Sequence, residues 1–299
     1  LEKSPSLMRR GDAGLPPGSR LSPEAIRIVD STLWKVVPRM KWAQWRTQGT
    51  DQNAVRLHVR LRLADLQVEG ADLTEARVCE RAPWLANARA GEFYIGDRYY
   101  GGDYGVLERL EQKGCGFLVR LRHTAVLEVR ETRETDPEAS ARGVEYDVTA
   151  RLGHGKAGYH GPWRVVRFQK PGMDEPVILV ASGECGDLSA TEIMELYRRR
   201  WQVEMFFRWL KCLVPCRHWF AESQNGVRVQ IYLCLIQALL LAEMTGARPS
   251  RRMMELLRWH QLGWATDAEL VAGLARFSRE RDAVKARLAA KKAAAPKKV

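Results

Sequence analysis

The sequence predicts an α/β protein, a mixed sheet flanked by helices, with a β-rich insertion ahead of a long charged helix. Three observations carry that prediction. Apolar and basic residues alternate with period two through VRLHVRLRL (55–63), the pattern of a half-buried antiparallel strand. The stretch SATEIMELYRRRWQVEMFFRWLK, from Ser189 to Lys211, opens on a capping box of Ser189 and Glu192 and contains no Gly or Pro, which predicts one long helix. Between His123 and Ser182, β-branched apolar runs alternate with turn-rich pieces such as GHGKAGYHGP (153–162).

Taken in order, residues 1–22 are rich in Pro, Gly, Ser and Arg and read as a disordered leader or the remnant of an N-terminal region. The chain starts at Leu1 rather than Met, so it reads as the later part of a longer protein. Residues 23–122 form the first part of a core. A strand begins near Ala25 and carries Asp30 in its middle, two antiparallel strands follow through VRLHVRLRL and LQVEGADL, and WLANARA is helical. EFYIGD is a short strand ending at Asp97, DYGVLERLEQKG is a helix stopped by Gly114, and CGFLVRLR is another strand. Residues 123–182 are the β-rich insertion, 183–246 the second part of the core, and 247–299 a helical, basic C-terminal region.

With 299 residues, 45% of them hydrophobic, the chain can bury a sizeable core. The net charge of +12 favours a polyanionic partner, nucleic acid before membrane. Residues 276–299 hold nine Lys or Arg against Glu280 and Asp282, which suits sequence-independent DNA affinity. Six scattered cysteines form no small-domain framework and suit a reducing cytosol. The apolar run from Val229 to Met244 is broken by Gln230 and Gln237, is too short for a membrane span, and reads as a buried helix.

The strand order, four strands, a helix and a further strand, is that of an RNase H-like sheet. In that layout an Asp inside the first strand and an Asp ending the fourth lie side by side, and a following helix adds a third carboxylate. Asp30, Asp97 and Glu204 hold those places. Three carboxylates offer the hard oxygen ligands that two Mg²⁺ ions need for in-line phosphoryl displacement. On the Ser189–Lys211 helix, Tyr197, Arg200, Glu204 and Lys211 fall within roughly 60° of one another. A single carboxylate among Arg198, Arg199, Arg200, Arg208 and Lys211 suits a metal or phosphate site, and equally a surface whose charges pair at i,i+4.

Those four residues reproduce a Y-x-x-R-x-x-x-E-x-x-x-x-x-x-K signature, and the sequence resembles the DDE transposases of the insertion sequence four family. VDST (29–32) and Asp97-Arg98-Tyr99-Tyr100 are similar to its two Asp motifs, and the likeness extends from about Ile26 to Glu243. The resemblance implies a catalytic core that cleaves DNA at the ends of an insertion sequence and joins the freed 3′-hydroxyl to target DNA. It implies Asp30, Asp97 and Glu204 as ligands of Mg²⁺, with Mn²⁺ as a substitute, and Tyr197, Arg200 and Lys211 as phosphate contacts; Arg208, on the same basic helix, is grouped with them. It further implies a homodimer in the DNA complex, and a bacterial cytoplasmic protein acting at the nucleoid.

Some members stack a flipped base on a tryptophan, and Trp163 is a candidate for that role, although core packing is the more ordinary fate of a Trp among strands. Tyr99 stands where the family has Gly, which predicts a reshaped turn after Asp97. Only 29 residues precede Asp30, where relatives carry a DNA-binding region. Two other readings therefore stand beside transposition: a truncated, inactive DNA-binding remnant, and a general RNase H-like nuclease. Cys212, Cys216 and His218 lack a fourth zinc ligand. His58 reads as exposed or hydrogen-bonded, and Arg120 and Arg122 as phosphate contacts or solvated positions.

Overall fold

The protein is described here by a computed structural model covering residues 15, 19–47, 50–135, 137–153, 158–169, 172–213, 219–245 and 249–294. The strands are β1 (Ile26–Lys35), β2 (Gln44–Thr47), β3 (Thr50–Arg62), β4 (Val68–Glu75), β5 (Phe93–Gly96), β6 (Gly116–Arg120), β7 (Leu127–Thr132), β8 (Val144–Leu152), β9 (His160–Phe168) and β10 (Val177–Ala181). The helices are α1 (Arg81–Asn87), α2 (Tyr104–Gln112), α3 (Pro137–Ala141), α4 (Ala190–Arg198), α5 (Trp201–Leu213), α6 (Gln224–Thr245), α7 (Arg251–Gln261) and α8 (Asp267–Ala294).

All ten strands join one mixed sheet. At its centre β1 runs antiparallel to β3 and parallel to β5, β3 runs antiparallel to β4, and β5 runs parallel to β6. The order β4-β3-β1-β5-β6 is the RNase H-like arrangement: an antiparallel meander, then two parallel strands reached by crossovers that contain α1 and α2. Asp103 caps α2 by accepting from the Val106 amide at 3.2 Å, and Gly114 turns the chain out of it at φ +72°. The strands of the β-rich segment extend the same sheet, with β10 antiparallel to β6, followed outward by β9, β8 and β7.

Alternation along β1 sends Ile28 into the core beneath α4, α5 and α6, and Val29 into the core beneath α1 and α2. Both faces of the central strands are thus buried, and Ile26, Ile28, Leu57, Tyr94, Ile95, Phe117 and Leu118 are fully enclosed. Helices α7 and α8 build a small third cluster with α6 around Leu241, Met253 and Leu274.

Two expectations need correction. The stretch from Ser189 to Lys211 is not one helix. Its capping box is present, with Ser189 Oγ accepting from the Glu192 amide and Glu192 accepting from the Ser189 amide, but the helix tightens between Arg198 and Trp201. Four bonds there run i→i−3: Arg199 to Leu196, Arg200 to Tyr197, Gln202 to Arg199 and Val203 to Arg200. The cause is tertiary, because α4 packs against β8 while α5 packs against β1. One straight rod does not follow a twisted sheet across that distance.

The predicted buried helix is longer and less buried than expected. It spans 22 residues and is long and apolar enough to cross a membrane by length and composition, so the sixteen-residue run understated it. Its inner face carries Val227, Ile231, Leu235 and Ala238 into the core, and Tyr232 Oη donates to the Ala71 carbonyl of β4 at 2.7 Å. Docking on the sheet accounts for the buried side, while Val229, Leu233, Ile236, Leu240 and Met244 face outward.

Candidate active site

The site gathers where β1 and β5 run side by side. The parallel register pairs Ile26 with Phe93, Arg27 with Tyr94 and Ile28 with Ile95. Two further steps bring Asp30 alongside Asp97, with adjacent strands about 4.8 Å apart. Asp30 is largely buried; its Oδ1 accepts from the Ser31 amide at 2.7 Å and its Oδ2 lies 3.5 Å from an Arg200 guanidinium nitrogen. Burial, and then the nearby charge of Asp97, push its carboxyl up to about 7, against the pull of the Ser31 amide and Arg200.

Asp97 follows the last residue of β5 and organises the turn after it. Its Oδ1 accepts from the Tyr99 amide at 2.8 Å, and its carbonyl accepts from the Gly101 amide at 3.3 Å. The turn presses on β6: a Cβ at Gly101 would sit 2.2 Å from the Arg120 carbonyl oxygen, so only glycine fits there. Tyr99 has φ −67° and ψ −42°, an ordinary helical conformation that needs no glycine. Its ring lies under the Arg81 guanidinium at 4.4 Å.

Glu204 is in the first turn of α5, and Arg200 occupies the tight turn just before it. The Arg200 guanidinium bonds to Glu204 Oε1 and also faces Asp30, so one cation bridges the two carboxylates. Tyr197 is largely buried at the end of α4; burial raises its phenol to about 12, with Asp97 adding to the rise and Arg200 and Arg120 opposing it. The structure therefore brings Asp30, Asp97, Tyr197, Arg200 and Glu204 into one neighbourhood. Arg208 and Lys211 lie exposed further along α5 and make no ion pair among the described residues.

Among the described residues, no three His, Cys, Asp or Glu side chains converge closely enough to hold a metal ion in the arrangement seen. The donor set nonetheless suits a hard divalent cation. It comprises carboxylate oxygens, one of them pushed toward protonation by burial and by the charge of Asp97, with a guanidinium standing as surrogate cation between two of the three.

Trp163 is a core residue, not a surface platform. It is 2% exposed, packs edge-on against Phe117 at 5.4 Å, and donates from Nε1 to Glu111 at 2.7 Å. His58 is buried, with Nε2 2.8 Å from Thr74 Oγ1. Arg120 and Arg98 both approach Glu175, at 3.9 and 3.5 Å. Cys216 and His218 lie outside the described residues.

Sequence reasoning passed over Arg56, Glu80 and Arg81. Arg56 on β3 pairs with Glu80 and donates to Ser31 Oγ at 3.1 Å, and Arg81 donates twice to the Tyr99 carbonyl. The alternation through residues 55–63 places Arg56 on a strand, but no periodicity or motif shows which groups these residues meet, because their partners are distant in sequence.

The chain matches the family described as Transposase DDE domain over residues 21–240. It is 27% identical over 240 residues to y4zB of Sinorhizobium fredii, a protein described as a transposase, covering 79% of this chain and 65% of the relative. It is 28% identical over 228 residues to a Geobacillus stearothermophilus protein described as a transposase for insertion sequence element IS5377, covering 73% and 56%. The chain thus spans less than two thirds of the length of either relative. A solved synaptic complex of piggyBac transposase with hairpin DNA aligns at a TM-score of 0.46 and 11% identity, over 87% of this chain and 57% of that one.

Proposed function

Because the chain belongs to the Transposase DDE domain family, we propose that it carries out metal-dependent phosphoryl transfer on DNA: cleavage at the ends of an insertion sequence, then joining of the freed 3′-hydroxyl to target DNA. The observation that carries this reading is the meeting of Asp30, on β1, with Asp97, just past the end of the neighbouring parallel strand β5, and the link from Glu204 to Asp30 through Arg200.

Asp30, Asp97 and Glu204 would hold the metal, Mg²⁺ with Mn²⁺ as a substitute. When bound, such ions supply the positive charge that activates an attacking oxygen and stabilises a leaving one. Arg200 bridges Asp30 and Glu204 in this structure; with those carboxylates holding an ion, its planar guanidinium would be free to take a phosphate in bidentate fashion. Tyr197 interacts with Arg200 through its hydroxyl oxygen and, kept protonated by its high pKa, would still have its own proton to donate to that phosphate. Arg208 and Lys211 extend the positive track along α5, giving phosphates of the same strand salt-sensitive contacts. The DNA complex contains a second copy of the chain, and the protein acts on the chromosome in the bacterial cytoplasm.

The test is a cleavage and strand-transfer assay on the element's own ends with Mg²⁺ or Mn²⁺. Glu204→Gln keeps the shape of the side chain and removes its charge, and is expected to abolish cutting while DNA binding persists. Cutting at the parental rate would remove Glu204 from the mechanism. Salt-sensitive binding without any nicking by the parent protein would favour an inactive remnant, and cutting without preference for the ends would favour a general nuclease.

A further inference from the structure

The two Asp-bearing segments are joined by a third one that carries no metal-binding carboxylate of its own. At the start of α1, Glu80 and Arg81 are consecutive and reach in different directions. Glu80 Oε1 takes the Arg56 guanidinium, and the same Arg56 nitrogen donates to Ser31 Oγ at 3.1 Å, one residue from Asp30. Glu80 Oε2 lies 3.4 Å from the hydroxyl of Tyr100, in the turn after Asp97. Arg81 grips that turn directly, with Nε 2.9 Å and a terminal nitrogen 2.5 Å from the Tyr99 carbonyl oxygen, and its guanidinium lies over the Tyr99 ring. Fork-like donation to one carbonyl combined with stacking is a geometry that arginine holds and lysine does not.

The β1–β5 ladder itself does not fix this turn, because the paired residues end at Ile28 and Ile95, short of both aspartates. Beyond the ladder, Asp97 is placed by the turn and the turn by what holds it. Tyr100 is fully buried against Trp84 of α1, ring centroids 4.9 Å apart, and a Cβ on Gly102 would come within 2.8 Å of Arg81. The fit between α1 and the turn is therefore close on both sides.

We propose that Glu80 and Arg81 are positioning residues that brace the Asp30–Ser31 segment against the Asp97–Gly102 turn and so set the separation of the two aspartates. This rests on the reading of Asp30 and Asp97 as metal ligands. Partners that orient metal ligands typically change metal affinity 10- to 100-fold when removed.

The experiment uses the full chain, freed of metal, with Mn²⁺ as the probe. Mn²⁺ affinity is measured by electron paramagnetic resonance titration for the parent, Arg81→Ala, Arg81→Lys, Glu80→Gln and Asp30→Asn, and amide exchange of the metal-free proteins is followed by mass spectrometry. Arg81→Ala and Glu80→Gln are expected to bind Mn²⁺ about tenfold more weakly. Exchange should quicken in residues 97–102 and stay parental in β10. Arg81→Lys should not rescue, because charge without the fork does not hold the Tyr99 carbonyl. Should Glu80→Gln fail to fold, the partly exposed Arg81 still tests the brace. Parental affinity and parental exchange in Arg81→Ala would overturn the proposal. Parental Mn²⁺ binding by Asp30→Asn would instead overturn the assignment of the metal ligands.

Discussion

Removing the carboxylate of Asp147 should be among the most damaging single changes to the stability of this protein. Asp147 on β8 and Arg164 on β9 form a bidentate pair, Nε to Oδ1 at 2.9 Å and a terminal nitrogen to Oδ2 at 2.5 Å, with side chains only 4% and 7% exposed. The other terminal nitrogen of Arg164 donates to the carbonyls of Cys185 and Leu188, at 2.8 and 2.5 Å, in the segment that leads into α4. Asp147→Ala leaves a buried guanidinium facing carbonyls alone, a change that costs about 3–5 kcal/mol. At roughly 2–4 °C per kcal/mol for a chain of this size, the melting temperature should fall by about 6–20 °C. The double variant Asp147→Leu with Arg164→Met removes both charges and loses only the donors to two carbonyls, so it should lie within about 2 kcal/mol of the parent. Urea unfolding of the parent, the single variant and the double variant measures all three. A single variant within about 1 kcal/mol of the parent, or a double variant no more stable than the single, would refute the reasoning.

Other consequences follow from individual residues. Burial, with the nearby charge of Arg56 in support, lowers the His58 pKa from 6.5 to about 4. The unfolded chain therefore takes up a proton between those values that the folded chain refuses. Stability from this residue is complete above pH 6.5 and is lost as pH falls toward 4, by about 3 kcal/mol in all; the urea midpoints of parent and His58→Leu at pH 7 and 4.5 should show the variant with the smaller acid loss. Gly101→Ala forces its methyl into the Arg120 carbonyl and should destabilise the protein by about 1–3 kcal/mol, with DNA cleavage falling further than stability, read by melting and cleavage side by side. Truncation before Arg276 removes a net charge of +7 and should flatten the dependence of DNA affinity on salt, while end-specific cleavage at low salt survives.

What the sequence made legible is what depends on local pattern. Alternation located β3, the capping box located the start of α4, and the order of elements put Asp30 on one strand and Asp97 at the end of another that proves to be its parallel neighbour. The tightening at Arg199 and Arg200 left no local trace, since neither Gly nor Pro is present and both halves favour helix. It arises because α4 and α5 answer to different strands. The bridging of Asp30 and Glu204 by Arg200 was hidden for the same reason: a helix drawn straight gives Arg200 only its i,i+4 partner, and the second partner is 170 residues away. Trp163 shows the converse. A large aromatic in a turn-flanked strand has no pattern that separates a platform from a core residue, and its bond to Glu111 on α2 decides the matter. The outward stripe of α6 was equally invisible, because a helix apolar all round does not reveal which side meets the sheet.

The pairing of β10 with β6 has a consequence for how this fold avoids self-association. Without β7–β10, β6 would end the sheet, and its buried run Phe117, Leu118 and Val119 would present an open row of amides and carbonyls to any passing strand. Such edges template aggregation. The added strands move the free border outward to β7, whose sequence LEVRET carries Glu128, Arg130 and Glu131 and whose ladder with β8 is interrupted between Val129 and Glu131. Charge and irregularity at a border both discourage strand addition. The β-rich segment is therefore an edge guard for the core sheet, and excising it as though it were a loop would convert a bordered sheet into a sticky one.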